Sequence, residues 1–198
     1  MIGIISYGCG NILSIKNMLD YLRIKSFIID SPDQIKEATK LILPGVGSFD
    51  NGIQKLLDGL WIKELEKHVL IDKKPVLGIC LGMQLMCNSS EEGHLEGLGW
   101  VDAKVLKFDS KNIKVPHMGW NEVEIFKDTL FKNNLRYRFY FVHSYYVSCE
   151  SNEVISTKCL HEDNFTSSFE KENIFGVQFH PEKSHKFGME VLKNFNDV

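Results

Sequence analysis

No stretch of this chain is apolar for long enough to cross a bilayer, which takes about 20 consecutive residues, and Met1-Ile2-Gly3-Ile4-Ile5-Ser6 carries neither a basic leader nor a cleavage site. Both absences predict a cytoplasmic protein. Cysteine is scarce and odd in number, with five residues at 9, 80, 87, 149 and 159 and no C-x-x-C pair. That pattern argues against a disulfide framework and against a zinc site. Reduced thiols are expected, with no metal and no cofactor. Neither sign of charge is in large excess: 23 basic and 26 acidic residues give a net charge of -3 and a pI near 6.2. The basic residues are dispersed, so there is no electrostatic reason to expect nucleic acid. Internal repeats, linkers and low-complexity segments are also missing. The 198 residues suit one domain spanning 1–198 with one sizeable core.

What the chain does have is a run of apolar residues, Pro75-Val76-Leu77-Gly78-Ile79, that drives into Cys80 and passes at once into the helix-forming Leu81-Gly82-Met83-Gln84-Leu85-Met86. A strand that delivers one cysteine to the start of a helix is a nucleophile elbow. The sharp turn strains the backbone and crowds neighbours around the cysteine Cβ, and Gly78 and Gly82, two before and two after, relieve that crowding. At a helix start, free N–H groups and partial positive charge favour thiolate over thiol. Cys80 is the candidate nucleophile, and the Leu81 N–H beside it is a candidate donor to an oxyanion.

Downstream, Ile174-Phe175-Gly176-Val177-Gln178-Phe179 reads as a strand ending in His180-Pro181-Glu182. In an extended segment residues two apart face the same way, so His180 and Glu182 can both turn toward Cys80. The imidazole can take the thiol proton and later give it to a leaving amine, while the carboxylate fixes tautomer and orientation. Cys80, His180 and Glu182 therefore make up a catalytic triad.

The first half alternates strand patterns near 2–6, 26–29, 40–43 and 75–79 with helix patterns near 11–22, 33–38, 52–68 and 81–87, the signature of a parallel α/β sheet. Ile12, Ile15, Met18, Leu19 and Leu22 recur at helical spacing and should face the sheet, and Ser31-Pro32-Asp33 opens the next helix. The second half has shorter aromatic and β-branched segments near 101–108, 123–125, 137–147, 154–157, 166–170 and 174–179, expected to add partly antiparallel strands. A last helix runs from about 184 to 194. Ligands of open α/β sheets gather at the carboxyl ends of strands, where Cys80 and the glycine-rich loop after Leu43 both fall.

With these residues in view, the chain resembles the class I (triad) glutamine amidotransferases, whose elbow and terminal His-Pro-Glu are matched by Gly78-Ile79-Cys80-Leu81-Gly82 and His180-Pro181-Glu182. Tyr7-Gly8-Cys9-Gly10-Asn11, Leu43-Pro44-Gly45-Val46-Gly47-Ser48-Phe49, Val115-Pro116-His117-Met118-Gly119-Trp120-Asn121 and Tyr140-Phe141-Val142-His143-Ser144-Tyr145-Tyr146 resemble the glutaminase subunits of imidazole glycerol phosphate synthases. The resemblance implies a flavodoxin-like α/β fold, with a parallel central sheet flanked by helices and antiparallel strands added in the C-terminal half. It implies hydrolysis of L-glutamine to glutamate and ammonia, with the ammonia passed to a (β/α)8-barrel cyclase subunit in a heterodimer. It makes Val46 N–H the second oxyanion donor, after a peptide reorientation, and assigns substrate binding to Gly47, Gln84, Glu92, Ser144 and Tyr145. Asn11, Met118, Trp120, Tyr140 and Lys183 match positions at the docking surface.

Other readings stay open at this stage. Paralogous glutaminase subunits supply amidotransferases of bacterial surface sugars, and two departures favour them: Cys9 in the Tyr-Gly-x-Gly-Asn segment, and Ser6 where an acidic residue is common. A glutaminase of pyridoxal phosphate synthesis fits less well, because Gly45-Val46-Gly47-Ser48 replaces its Gly-Gly-Glu-Ser type of loop. A catalytically silent regulatory binding module would lack an intact triad. A stand-alone cysteine hydrolase would share the elbow without the His-Pro-Glu element.

Overall fold

The computed structural model describes residues 1–109, 114–132, 136–161 and 163–198. The first half builds β1 (Ile2–Ile5), β2 (Ser26–Ile29), β3 (Lys40–Gly45) and β4 (Val76–Cys80), all parallel and ordered β2-β1-β3-β4. Between them run α1 (Ile12–Tyr21), a 3-10 helix at Pro32–Glu37, α2 (Phe49–Asp58) and α3 (Trp61–Glu66); α4 (Leu81–Leu85) follows β4. The second half adds β5 (Ser89–Ser90), β6 (Ala103–Lys107), β7 (His117–Ile125), β8 (Arg138–His143), β9 (Tyr145–Cys149), β10 (Ile155–His161), β11 (Asp163–Lys171) and β12 (Ile174–Val177), closed by α5 (His185–Asp197). The last strand, β12, returns to lie parallel beside β4 and is also paired antiparallel to β11. From there the sheet continues β11-β10-β7-β8 in antiparallel pairs. The expected mixture of parallel and antiparallel strands is present.

Alternation along the central strands divides the apolar side chains between two layers. Ile5, Leu41, Leu43 and Val76 point to the side covered by α2, α3 and α4 through Phe49, Ile53, Leu56, Trp61, Leu65 and Met83. Ile2, Ile4, Ile42, Leu77 and Ile79 point to the other, where α1 and α5 supply Ile15, Leu19, Val191, Leu192 and Phe195. Ile12, Met18 and Leu22 pack partly buried at the rim of this second layer, as their spacing predicted. The sheet is thus wrapped on both faces, and the carboxyl ends of β3, β4 and β12 are brought side by side.

Several elements differ from the sequence expectation for local reasons. The helix expected over 52–68 begins at Phe49 and breaks after Asp58, where Gly59 leads into Leu60 in the left-handed region at φ 57°. A π turn, Lys67–Ile71, then carries the chain out of α3. The segment near 33–38 is 3-10 rather than α, opened by the Gln34 side chain accepting from the Ser31 N–H at 3.3 Å. The single strand expected over 137–147 is two: at Ser144 the chain leaves β7 and, as β9, pairs with β6 and β11. The strand expected near 123–125 is nine residues long and begins at His117. Its first part escaped the pattern because Met118 and Trp120, 61% and 40% exposed, occupy the outward positions that polar residues usually fill. Among the described residues, no helix is long and apolar enough to cross a membrane.

Candidate active site

Cys80 closes β4 and caps α4 with φ 55° and ψ -110°, a strained left-handed placement for a residue with a side chain. The two flanking glycines make the turn sterically possible. A Cβ on Gly78 would stand 2.7 Å from Gly82 O and Met83 N, and one on Gly82 would stand 1.8 Å from Leu43 O. The helix behind the cysteine has only five residues, so its influence on the sulfur comes from first-turn N–H groups and not from a long dipole.

His180 follows β12, parallel to β4, and reaches the same end of the sheet. Its Nδ1 donates to Glu182 Oε1 at 2.8 Å, and the side chains of both residues are buried. Alternation along an extended strand would put the pair on one face. Instead β12 stops at Val177, and Pro181–Lys183 form a 3-10 turn that folds Glu182 back beneath the imidazole. Ser184 fixes that turn: its hydroxyl donates to His180 O at 2.6 Å and accepts from Tyr140 N at 3.0 Å. Burial opposes a charge on His180, but the Cys80 sulfur and the Glu182 carboxylate outweigh it and raise the imidazole to about 10. His180 Nε2 is buried without a hydrogen-bond partner among the described residues. An imidazole held protonated beside the Cys80 sulfur is equipped to hand a proton to a ligand nitrogen.

A cavity of about 340 Å³ opens over Cys80. Val46, Gly47, Leu81, Gln84, Glu92, Ser144, Tyr145, His180 and Lys183 share its lining, so most of the residues singled out in the sequence meet in one place. Glu182 stands behind His180 instead of lining the cavity. Val46 arrives because Gly45 is paired with Cys80 across β3 and β4, and a Cβ on Gly45 would stand 2.7 Å from Gly82 N. Gln84 is buried: its Nε2 donates to Tyr145 O at 3.1 Å and to Gln178 Oε1 at 3.0 Å, which leaves its own carbonyl oxygen for a ligand. Glu92 Oε2 accepts from Phe49 N at 2.8 Å, so the carboxylate also caps α2.

Met118 and Trp120 on β7 are exposed, and Met118 is paired with Val142 of β8, which lines the cavity. Trp120 stacks on His185 with ring centroids 5.5 Å apart and lies edge-on to Tyr140 at 6.4 Å; Lys183 Nζ sits 5.6 Å from the Tyr140 ring centre. These side chains make one exposed aromatic patch, and the His180 N–H donates to Tyr140 O at 3.0 Å from beneath it. Asn11 is exposed ahead of α1 and has no described contact with the patch.

Sequence reasoning missed Gln178, Tyr7 and Ser184, and it left His143 without a role. Gln178 Nε2 lies 3.7 Å from Cys80 Sγ. The alternation used for His180 and Glu182, run one step backwards, reaches Gln178. Tyr7 is buried near the sulfur, and burial, with Cys9 and Cys80 nearby, holds its phenol well above the usual range. His143 lines the cavity and is pressed down to about 3 by burial, so it is neutral.

Comparison with known proteins matches the family profile "Glutamine amidotransferase class-I" to residues 4–198. The chain is 53% identical to imidazole glycerol phosphate synthase subunit HisH 2 of Methanococcus maripaludis over 98% of each chain. It is 47% identical to imidazole glycerol phosphate synthase subunit HisH 2 of Pseudomonas aeruginosa over 100% of each. The solved structure of PurLQS from Thermotoga maritima superimposes with a TM-score of 0.75 at 17% identity, covering 99% of this chain and 97% of that one. At that identity the likeness concerns the fold alone.

Proposed function

Because the chain belongs to the class-I glutamine amidotransferase family, we propose that it is the glutaminase subunit of an imidazole glycerol phosphate synthase, a cytoplasmic enzyme of histidine biosynthesis folded as one amidotransferase domain over 1–198. The observation that carries the reading is the convergence of Cys80, the His180–Glu182 pair and the substrate-sized cavity at the carboxyl end of the sheet, in a chain alike end to end to subunits of that name.

In this reading Cys80, as thiolate, attacks the carboxamide carbon of glutamine. The carbonyl π pair moves to oxygen, and the oxyanion is met by the N–H groups of Leu81 and, after a peptide reorientation, Val46; each such donor contributes about 2.7–4 kcal/mol. Protonated His180 gives its proton to the departing nitrogen, and the C–N bond breaks to leave ammonia and a glutamyl thioester. His180, now neutral, accepts a proton from water as the water oxygen attacks the thioester, and glutamate leaves with the thiolate restored. Glu182 keeps the imidazole oriented throughout. The free carbonyl of Gln84 and the carboxylate of Glu92 suit the ammonium of the substrate, with Gly47, Ser144 and Tyr145 along the rest of it. Ammonia then passes to a (β/α)8-barrel cyclase subunit, which makes imidazole glycerol phosphate and aminoimidazole carboxamide ribonucleotide. The aromatic patch of Met118, Trp120, Tyr140 and Lys183 suits that docking, and Asn11, exposed ahead of α1, is assigned to it by the family resemblance alone; Trp and Tyr beside a charge are common interface anchors.

A second reading differs only in the ammonia acceptor, a surface-sugar amidotransferase, and rests on the Ser6 and Cys9 departures. Glutamate release by the purified chain, alone and with the histidine-pathway barrel subunit of the same organism, separates the two. Slow release alone, strong stimulation by that subunit with its nucleotide, and loss of at least about a thousandfold in Cys80→Ala are expected. Stimulation by a sugar amidotransferase instead would move the chain to the second reading. No glutamine turnover in any pairing would overturn the glutaminase itself.

A further inference from the structure

Gln178 is fully buried, and the reaction above makes no use of it. A side-chain amide can present either its oxygen or its nitrogen to a neighbour, and here one backbone carbonyl, that of Tyr145, decides which. Tyr145 O accepts from Gln84 Nε2 at 3.1 Å and from His143 Nδ1 at 2.8 Å. A carbonyl oxygen can only accept, so Gln84 must turn its nitrogen toward it, and the second hydrogen of that nitrogen reaches Gln178 Oε1 at 3.0 Å. Gln178 is thereby left with its nitrogen facing Cys80 Sγ at 3.7 Å. The polarity continues in the other direction as well. With hydrogen on Nδ1, the neutral His143 can only accept at Nε2, which lies 2.9 Å from His117 Nδ1 on β7. Every donor from β7 to the sulfur therefore has a defined acceptor, anchored on a main-chain oxygen.

We infer that Gln178 is a further catalytic residue, whose side-chain N–H donates to the Cys80 sulfur and favours the thiolate over the thiol. The inference rests on the reading of Cys80 as nucleophile. Thiol hydrogen bonds to nitrogen are weak, whereas a thiolate accepting from an amide is a charge-assisted pair, so the donor acts on the ionised form. The titratable groups that face the same sulfur or share its cavity are His180, backed by Glu182, the neutral Tyr7 and His143, Tyr145, and Glu92 and Lys183 across the opening. Of these, His180 is a charged donor, His143 gives its one hydrogen to Tyr145 O and the Tyr7 hydroxyl lies against Cys9, so none gives the sulfur a neutral, fixed donor. Gln178 supplies one from beneath, at a position that substrate does not need to vacate.

The test follows the rate of Cys80 alkylation by iodoacetamide against pH, located by peptide mass mapping, in the full chain and in Gln178→Leu and Gln178→Glu. At pH 7 the leucine variant is expected to alkylate about tenfold more slowly, with its rate profile moved toward higher pH. Gln178→Glu, which keeps an acceptor for Gln84 but sets a carboxylate against the sulfur, is expected to be slower again. Folded variants with the wild-type profile would overturn the assignment. Should neither variant fold, nitrogen-15 spectra of the unsubstituted chain and of Cys80→Ala decide it: one of the four glutamine side-chain amides should move when the sulfur is removed, and no movement overturns the proposal. Glutamine turnover surviving in Cys80→Ala would sink the nucleophile reading alone, because alkylation reports on the Gln178 contact whichever acyl group the sulfur attacks.

Discussion

A Cβ at residue 82 would stand 1.8 Å from the Leu43 carbonyl oxygen, inside the van der Waals wall of an atom that belongs to a central strand. No side-chain rotation relieves a clash between two main chains, so Gly82→Ala must displace either β3 or the elbow. A loss of more than about 3 kcal/mol of stability is expected, read as a lower urea midpoint at unchanged slope. Gly176→Ala provides the contrast: its nearest atoms belong to the side chains of Phe169 and Met83, which can yield in part, so a smaller loss is expected. The need for glycine on both sides of Cys80 was readable in the sequence, because a strand–cysteine–helix junction implies it. Gln178 was not readable, since nothing in a lone glutamine shows that two carbonyl-anchored bonds will aim its nitrogen at a sulfur 98 residues away.

Among the helices, the break between α2 and α3 has its own energetics. Leu60 is 78% exposed and held at φ 57°, a conformation that costs an ordinary residue about 1–2 kcal/mol and glycine almost nothing. Leu60→Gly should leave the fold unchanged and stabilise it by about 0.5 kcal/mol, the rest being offset by the greater freedom of glycine in the unfolded chain; urea denaturation of the two proteins checks this. The apolar periodicity of 52–68 could not show this break, because Leu56 and Leu60, and Leu57 and Trp61, stand four apart across it, a helical spacing. The turn at Pro181–Lys183 shows how an outcome can be legible and its cause hidden. His180 and Glu182 do meet, as sequence spacing suggested, yet a 3-10 turn held by Ser184 brings them together where alternation along a strand was expected.

Across the whole molecule, His68, His117 and His143 are buried and pressed down to about 4, 4 and 3 by desolvation. An unfolded chain protonates each near 6.5, so below that value it binds more protons than the folded chain. The stability these residues contribute is complete above pH 6.5 and is lost as pH falls toward 4, at up to about 1.4 kcal/mol per pH unit for each histidine. His180 is shifted the other way, so its contribution is already complete below pH 6.5 and fades only as pH rises toward 10. It does not offset the acid loss. Urea midpoints from pH 7 to pH 4.5 should fall steeply, and His68→Leu, which also removes an Nε2 with no described partner, should flatten the curve by about one proton. The sequence by itself determined the family, the wrapped parallel sheet and the cysteine–histidine–glutamate set, because periodicity, the elbow glycines and the His-Pro-Glu run are local and leave local marks. The tertiary structure alone decided the rest. Ser144 switches the strand partners, β7 turns Met118 and Trp120 outward, and a run of donors joins β7 to Cys80; each of these depends on atoms that meet only after distant segments pack.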